Sequence, residues 1–145
     1  MQSSLATRPK EILLVEDSPT DIKMVLMALK KSGRPKQVTT STDGEQAMAR
    51  LNAPPAGLPD LVILDLNLPK MDGWQVLARC KGDAALKCIP IVVFTTSERQ
   101  ADVDRCYALG ANSFVTKPFD LAAFQDAVAM IEEFWLGLAA PWEQG

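Results

Sequence analysis

The sequence contains no histidine, and its only cysteines are Cys80, Cys88 and Cys106. No two cysteines form a CxxC pair and their number is odd, so the pattern does not indicate a disulfide framework. We interpret them as small packing residues in a reducing cytoplasm. Without histidine, any metal site must use oxygen ligands, which favours Mg²⁺, Mn²⁺ or Ca²⁺ over Zn²⁺.

Clusters of lysine and arginine are also missing, and the formal net charge is −3. This composition argues against a nucleic-acid surface, which needs a basic stripe, and against a basic membrane surface. The N-terminus MQSSLATRPKE lacks an apolar signal core, and no apolar run reaches membrane-spanning length. The sequence therefore predicts one cytoplasmic domain that binds neither nucleic acid nor membrane.

What the sequence does contain is an alternation of apolar runs with segments of helical spacing. The runs predict five strands, at residues 11–15, 37–40, 60–66, 89–94 and 112–116. Strands that alternate with helices form a parallel sheet covered on both faces, and their crossovers are right-handed. We therefore predict an α/β, doubly wound (βα)5 flavodoxin-like fold with sheet order 2-1-3-4-5.

The expected helix boundaries carry capping signals. Ser18 followed by Pro19 and Asp21 predicts an N-cap, a first-turn proline and a first-turn acid. Three further candidate N-caps stand three residues before a glutamine, as in a capping box, and they are Asp43, Asp72 and Ser97. Helical spacing places two apolar faces toward the core: Ile22, Val25, Leu26 and Leu29 in the first helix, and Leu121, Phe124, Val128, Ile131 and Trp135 in the last.

Polar side chains follow four of the predicted strands. Glu16 and Asp17 end the first strand, Asp65 the third and Thr95 the fourth, and Lys117 follows the fifth. The ligand crevice of a doubly wound sheet lies at these carboxyl ends. Three crowded carboxylates repel one another unless a divalent cation joins them, and Mg²⁺ also accepts a phosphate oxygen. The alternative interpretation is a set of helix caps with one ion pair.

These residues, in this order, resemble the receiver domains of two-component response regulators. The resemblance extends over residues 10–133 and includes Pro69, Asp72-Gly73 and Lys117-Pro118. Stretches such as DLNLPKMDG, VVFTTS and IEEFWL look most like the single-domain regulators associated with phytochrome-type kinases. The resemblance implies a receiver domain at residues 10–133, an N-terminal tail at 1–9 and a C-terminal extension at 134–145.

The resemblance also implies a role for each site residue. Asp65 would accept a phosphoryl group from a sensor histidine kinase, for example a bacteriophytochrome. Mg²⁺ or Mn²⁺ would be held by Asp17, Asp65 and the backbone carbonyl of Asn67, with Glu16 acting through a water molecule. Lys117 would contact a phosphoryl oxygen. The chain would then be no conventional enzyme, since it would only transfer phosphate to itself and release it.

A switch is implied as well. Thr95 would move onto the phosphoryl group, and Phe114 would turn inward when Thr95 moves. The Lys117-Pro118 bond would be cis, which X-Pro bonds tolerate. The chain departs from the family's usual pattern in three places: it has Glu-Asp in place of Asp-Asp at 16–17, Thr96 where alanine is often seen, and phenylalanine in place of tyrosine at 114.

No effector domain is evident after the last predicted helix, so we expect the output to be an interaction surface. The tail FWLGLAAPWEQG could expose five large apolar residues, Phe134, Trp135, Leu136, Leu138 and Trp142. We predict a homodimer through the fourth helix, the fifth strand, the fifth helix and this tail. The alternative is that the tail folds back onto the core of its own domain.

Three other functions fit the fold. An aspartyl phosphatase would need an acid two residues after Asp65, where this chain has Asn67. A flavin-binding protein would need a Ser/Thr/Gly-rich phosphate loop in place of EDSPTD at 16–21. A pseudo-receiver that only docks partners would lack the acceptor or the lysine, and both are present.

Overall fold

The computed structural model describes residues 9–53 and 57–140, and most of the predicted N-terminal tail and Trp142 lie outside these residues. The elements, in chain order, are β1 (Lys10–Val15), α1 (Pro19–Lys31), β2 (Lys36–Ser41), α2 (Gly44–Leu51), β3 (Leu61–Leu64), α3 (Gly73–Lys81), β4 (Ile91–Thr95), α4 (Gln100–Ala108), β5 (Ser113–Thr116) and α5 (Leu121–Glu132). A π-helical turn, Glu133–Leu138, continues directly from α5.

The five strands form a parallel sheet in the order β2-β1-β3-β4-β5, which confirms the predicted fold. The chain reverses its direction of winding between β1 and β3, which lie side by side with Val15 opposite Leu64. The residues that follow these two strands therefore emerge next to each other at the carboxyl edge of the sheet. This edge is the ligand-binding position in doubly wound folds.

Each face of the sheet buries its own apolar layer. In β1, Leu13 and Val15 face α2, α3 and α4, whereas Ile12 and Leu14 face α1 and α5. All four side chains are at most 1% exposed, and burying each stabilises the fold by roughly 1.5–3 kcal/mol. A strand buried on both faces reads as a continuous apolar run, which is why β1 and β3 were evident in the sequence.

Some of the predicted apolar positions lie at the surface. Leu26 of α1 is 38% exposed and Leu121 of α5 is 53% exposed, although their neighbours on the same helices are buried. Val25 and Leu29 pack against Phe124 and Val128 where α1 crosses α5. The strip covered by this contact is therefore narrower than helical spacing alone predicts.

Three of the four predicted N-caps are confirmed. The hydroxyl of Ser18 accepts the backbone N–H of Asp21 at 3.2 Å, and Asp43 and Asp72 cap α2 and α3 in the same way. The prediction for Ser97 is wrong, because α4 begins at Gln100 after Arg99. The Ser97 hydroxyl lies 2.6 Å from Asp102 Oδ2, so it pairs with a side chain instead of capping the helix.

Gly73 lets the start of α3 approach the end of β3 closely. A Cβ atom at this position would lie 2.2 Å from the carbonyl oxygen of Asp65 and 2.6 Å from the Cα of Leu66. The Gly73 N–H also donates to the Leu66 carbonyl at 3.0 Å. Only glycine fits here, so Gly73 fixes the backbone around Asp65.

The C-terminal turn partly returns to the domain. Trp135 and Leu136 are partly buried against the α1–α5 side of the core, whereas Phe134 is 48% exposed and Leu138 75% exposed. Arg34 Nη2 lies 3.0 Å from Glu133 Oε2 and ties this turn to the loop before β2. Within residues 134–140 the turn is thus partly folded back and partly exposed, and the homodimer stays a prediction. Across residues 9–53 and 57–140, no helix is long and apolar enough to cross a membrane.

Candidate functional site

Three carboxylates meet at the carboxyl edge of the sheet. Glu16 and Asp17 follow β1 and Asp65 follows β3, and each offers an oxygen atom within 4.8 Å of the other two. Glu16 and Asp65 are buried, whereas Asp17 is exposed. The Asp65 N–H donates to the Val15 carbonyl at 3.0 Å, so sheet hydrogen bonding continues to the acidic cluster. The prediction that separate strand ends converge here is confirmed.

Lys117 lies among these acids and is only 5% exposed. Its Nζ atom is 2.5 Å from Glu16 Oε1, 2.8 Å from Asp21 Oδ2 and 3.6 Å from Asp65 Oδ2. Charge-assisted hydrogen bonds are the stronger class, so the first two contacts hold the ammonium firmly. The sequence pattern indicates Asp21 only as a first-turn helix acid, and it gives no sign of the contact with Lys117.

The combined effect of burial and neighbouring groups shifts the pKa of two side chains in the cluster upward, those of Glu16 and Lys117. Burial raises the pKa of Glu16 to about 7; the hydrogen bond from Lys117 opposes this rise and the charge of Asp65 adds to it. Burial acts to lower the pKa of Lys117, but the hydrogen bonds to Asp21 and Glu16 outweigh it and the net shift is upward. Lys117 is thus charged, and the carboxylates are crowded enough to gain from a second cation.

Thr95 ends β4 with its side chain fully buried. Among the described residues, its Oγ1 atom has no hydrogen-bond partner, and neither does Oδ1 of Asp65. A buried polar atom without a partner costs free energy, so both atoms are candidates for an incoming ligand group. The Thr95 carbonyl accepts the backbone N–H of Lys117 at 2.6 Å, which links the two residues directly.

Two further predicted site residues, Phe114 and Asn67, lie on β5 and in the loop after β3. Phe114 lies opposite Val93 in the β4–β5 pair and is partly buried against the α2–α3–α4 side of the core. Its N–H donates to the hydroxyl of Tyr107, on α4, at 3.1 Å. Asn67 follows β3 by three residues and its side chain is exposed. The cis form of the Lys117-Pro118 bond stays a prediction.

The donor set fits a hard divalent cation. The nearest protein groups are carboxylate oxygens, and oxygen ligands are what Mg²⁺ and Mn²⁺ prefer. Asp17 is open to solvent, which leaves room for the water molecules that Mg²⁺ retains. The unpartnered oxygen of Asp65 supplies a further acceptor at the same point.

A (βα)5 sheet with an acidic cluster, a buried lysine and a buried threonine at its carboxyl edge defines a receiver domain. The chain matches the family described as response regulator receiver domain over residues 12–129, and it belongs to that family. The protein is a two-component response regulator. This family consists of signalling domains and is not a class of conventional enzymes.

The similar proteins narrow the relationship. Response regulator Rcp1 of Synechocystis sp. is 44% identical over 88% of this chain and 90% of its own length. The phosphorylated cyanobacterial phytochrome response regulator RcpA is 44% identical, with a TM-score of 0.89 over 94% of this chain and all of that one. The Mn²⁺-bound form of Rcp1 is 42% identical, with a TM-score of 0.88 over 93% and 100% of the two chains. The chain is therefore related to the phytochrome response regulators.

Proposed function

We propose that Asp65 accepts a phosphoryl group from a sensor histidine kinase in a reaction that requires Mg²⁺ or Mn²⁺. The observation that carries the proposal is the position of Asp65. Its carboxylate is buried at the end of β3, beside two other acids and 3.6 Å from Lys117 Nζ, and one of its oxygens has no partner in the described part of the chain. A carboxylate in this setting can act as a nucleophile, and the nearby Lys117 ammonium can stabilise negative charge on the phosphoryl oxygens.

In this reaction a carboxylate oxygen of Asp65 forms a bond to phosphorus, and the bond between phosphorus and the donor imidazole nitrogen breaks. Asp17, Asp65 and the carbonyl of Asn67 would hold the metal ion, with Glu16 acting through water. The bound ion would offset charge on the phosphoryl oxygens. Lys117 would contact one of those oxygens, and hydrolysis of the acyl phosphate would return the domain to its resting state.

Thr95 and Phe114 would convert the modification into a signal. The buried Thr95 hydroxyl would move onto the phosphoryl group, and Phe114 would then turn toward the core. Phosphorylation adds about two negative charges and three acceptor oxygens at one point, which is enough to reorient such a hydroxyl. The link from the Phe114 N–H to Tyr107 would carry the change to α4.

The kinase is proposed from the similar proteins. RcpA is a phytochrome response regulator in its phosphorylated form, so we propose a phytochrome-type histidine kinase as the phosphodonor. The free thiols of Cys80, Cys88 and Cys106 support a reducing compartment, so we place the reaction in the cytoplasm.

We also propose that the receiver domain extends over 10–133, between a tail at 1–9 and an extension at 134–145, and that it forms a homodimer. A shallow apolar groove lies between β5, α5 and the π-helical turn, lined by Val115, Ala127, Met130 and Phe134. Met130 is 70% exposed, which supports a contact at this face. Truncation after Glu133 would weaken the dimer in analytical ultracentrifugation, and unchanged affinity would remove the extension from the interface.

Incubation with a small acyl phosphate and Mg²⁺, followed by intact-mass measurement, tests the phosphorylation. The wild-type protein should gain one phosphate that requires the metal, and Asp65→Asn should gain none. Asp72→Asn is the matched control, because it makes the same change at the far end of the same loop and asparagine still caps α3. A wild-type protein that stays unmodified, also with a competent kinase, would contradict the proposal.

A further inference from the structure

Lys117 has a close partner that the proposed reaction does not use. The Oδ2 atom of Asp21 lies 2.8 Å from Lys117 Nζ, closer than the 3.6 Å to Asp65. Asp21 belongs to the first turn of α1, and Ser18 Oγ accepts its backbone N–H. An acid at this position often has no other role than a favourable interaction with the helix dipole. The Asp21 side chain, however, is only 24% exposed, and it contacts the buried ammonium of Lys117, which lies near the other end of the sequence.

The ammonium group of Lys117 can donate three hydrogen bonds. Glu16 and Asp21 take two of them at 2.5 and 2.8 Å, whereas the 3.6 Å separation from Asp65 is an ion pair without a hydrogen bond. Lys117 is thus held between β1 and α1, to one side of the nucleophile. A phosphoryl group on Asp65 would have to compete with Asp21 for this ammonium.

We infer that Asp21 is a positioning residue, which holds Lys117 away from Asp65 in the resting state and releases it when a phosphoryl group occupies the site. The inference rests on the proposed function. It predicts that Asp21 favours the unphosphorylated state, because the contact between Asp21 and Lys117 must weaken before Lys117 can reach a phosphoryl oxygen. Removing Asp21 should therefore strengthen the binding of a phosphoryl group.

Beryllium fluoride, a phosphoryl analogue, provides the test, with its affinity measured by isothermal titration calorimetry at saturating Mg²⁺. Asp21→Asn should bind the analogue about tenfold more tightly than wild type, the size expected for one hydrogen bond to a charged group. Asp21→Glu keeps the charge and should restore wild-type affinity. Asp120→Asn is the matched control, since it removes a charge three residues after Lys117 while asparagine still caps α5.

The outcomes separate the inference from the proposed function. If wild type binds no analogue, the proposed function fails and the inference fails with it. If wild type binds but Asp21→Asn and Asp120→Asn change the affinity equally, Asp21 contributes only general charge and the inference is wrong. Weaker binding by a folded Asp21→Asn would also overturn it, because Asp21 would then support the bound state.

A second measurement uses the wild-type protein alone and does not depend on a variant that folds. The ¹³C resonance of the Asp21 carboxyl group reports whether its contact with Lys117 persists. Adding beryllium fluoride and Mg²⁺ should move this resonance toward that of a solvent-exposed aspartate, relative to Mg²⁺ alone. A resonance that does not move on saturation with the analogue would show that Lys117 stays with Asp21, contrary to the inference.

Discussion

Lysines at the two edges of the sheet have different partners. At the amino edge, Lys36 Nζ donates to the carbonyl oxygens of Leu29 and Arg34 at 2.8 and 2.7 Å, and only one of its partners, Glu132 at 3.1 Å, is a carboxylate. Lys81, at the same edge, donates to two further backbone carbonyls and to a side-chain amide oxygen. At the carboxyl edge, the described contacts of the Lys117 ammonium are all with carboxylates.

This difference separates a structural role from a functional one. Most acceptors of Lys36 and Lys81 are backbone carbonyls, which are fixed in their loops and do not ionise, so these two lysines hold loops together. Carboxylates can exchange their partner for a metal ion or a phosphoryl group, so the contacts of Lys117 can be rearranged. The same residue type stabilises the fold at one edge and, in the proposed reaction, would contact the phosphoryl group at the other.

The largest expected effect comes from replacing a lysine at each edge. Lys36→Met should lower the free energy of unfolding by roughly 1.5–3 kcal/mol, because the buried Glu132 loses its closest ion pair, at 3.1 Å, and keeps only Arg34 at 3.6 Å and the Ser32 hydroxyl. Lys117→Met should also destabilise the fold, because Glu16 and Asp65 then repel each other without their cation. Urea unfolding with and without Mg²⁺ measures both changes.

Mg²⁺ distinguishes the two variants. The ion should restore much of the stability of Lys117→Met, since it can replace the lost positive charge, and it should not rescue Lys36→Met. The comparison between the edges would break if Mg²⁺ rescued both variants equally or neither.

A smaller effect concerns pH. The pKa of Glu16 is raised from 4.5 to about 7, so the folded state holds this proton more tightly than the unfolded state. In metal-free buffer, the contribution of Glu16 to stability should be greatest below pH 4.5 and should be lost as the pH rises toward 7. The difference in unfolding free energy between wild type and Glu16→Gln, followed from pH 4 to pH 8, measures it.

Added Mg²⁺ should reduce this pH dependence, because the ion favours the ionised carboxylates. A difference between wild type and Glu16→Gln that stayed constant across the range would contradict the raised pKa.

The smallest effect concerns thiol reactivity. Burial raises the pKa of Cys80 and of Cys106 to about 11, whereas Cys88 is exposed. At neutral pH the native protein should therefore react with a thiol reagent at Cys88 alone, and Cys88→Ser should remove this reactivity. Rapid modification of Cys80 would show that the core near the amino edge opens more readily than the packing indicates.

Much of the site could be predicted because each strand is a run of apolar residues that ends on a polar one. The end of a buried strand is evident in the sequence, so Asp65 and Thr95 can be placed at the carboxyl edge of the sheet from the sequence alone. Asp21 could not be assigned to Lys117, because a first-turn acid looks the same in sequence whether it faces solvent or a buried cation. Their contact joins residues 96 positions apart.

Other errors had similar causes. Ser97 matched a capping signal three residues before a glutamine, but its pairing with Asp102 left the helix to begin at Gln100. In the tail, helical spacing gave no sign that α5 would become a π-helical turn at Glu133. Local patterns indicate what a segment can form, and long-range contacts decide which of those forms it takes.

In the proposed reaction, Asp65 is the residue that carries the phosphate. Borohydride reduces an aspartyl phosphate to homoserine, so peptide mapping by mass spectrometry after reaction with an acyl phosphate and Mg²⁺ identifies the acceptor. We predict homoserine at position 65, and none when the metal is chelated. Homoserine at Asp17 in place of Asp65, or phosphate uptake that persists without a divalent cation, would contradict the account.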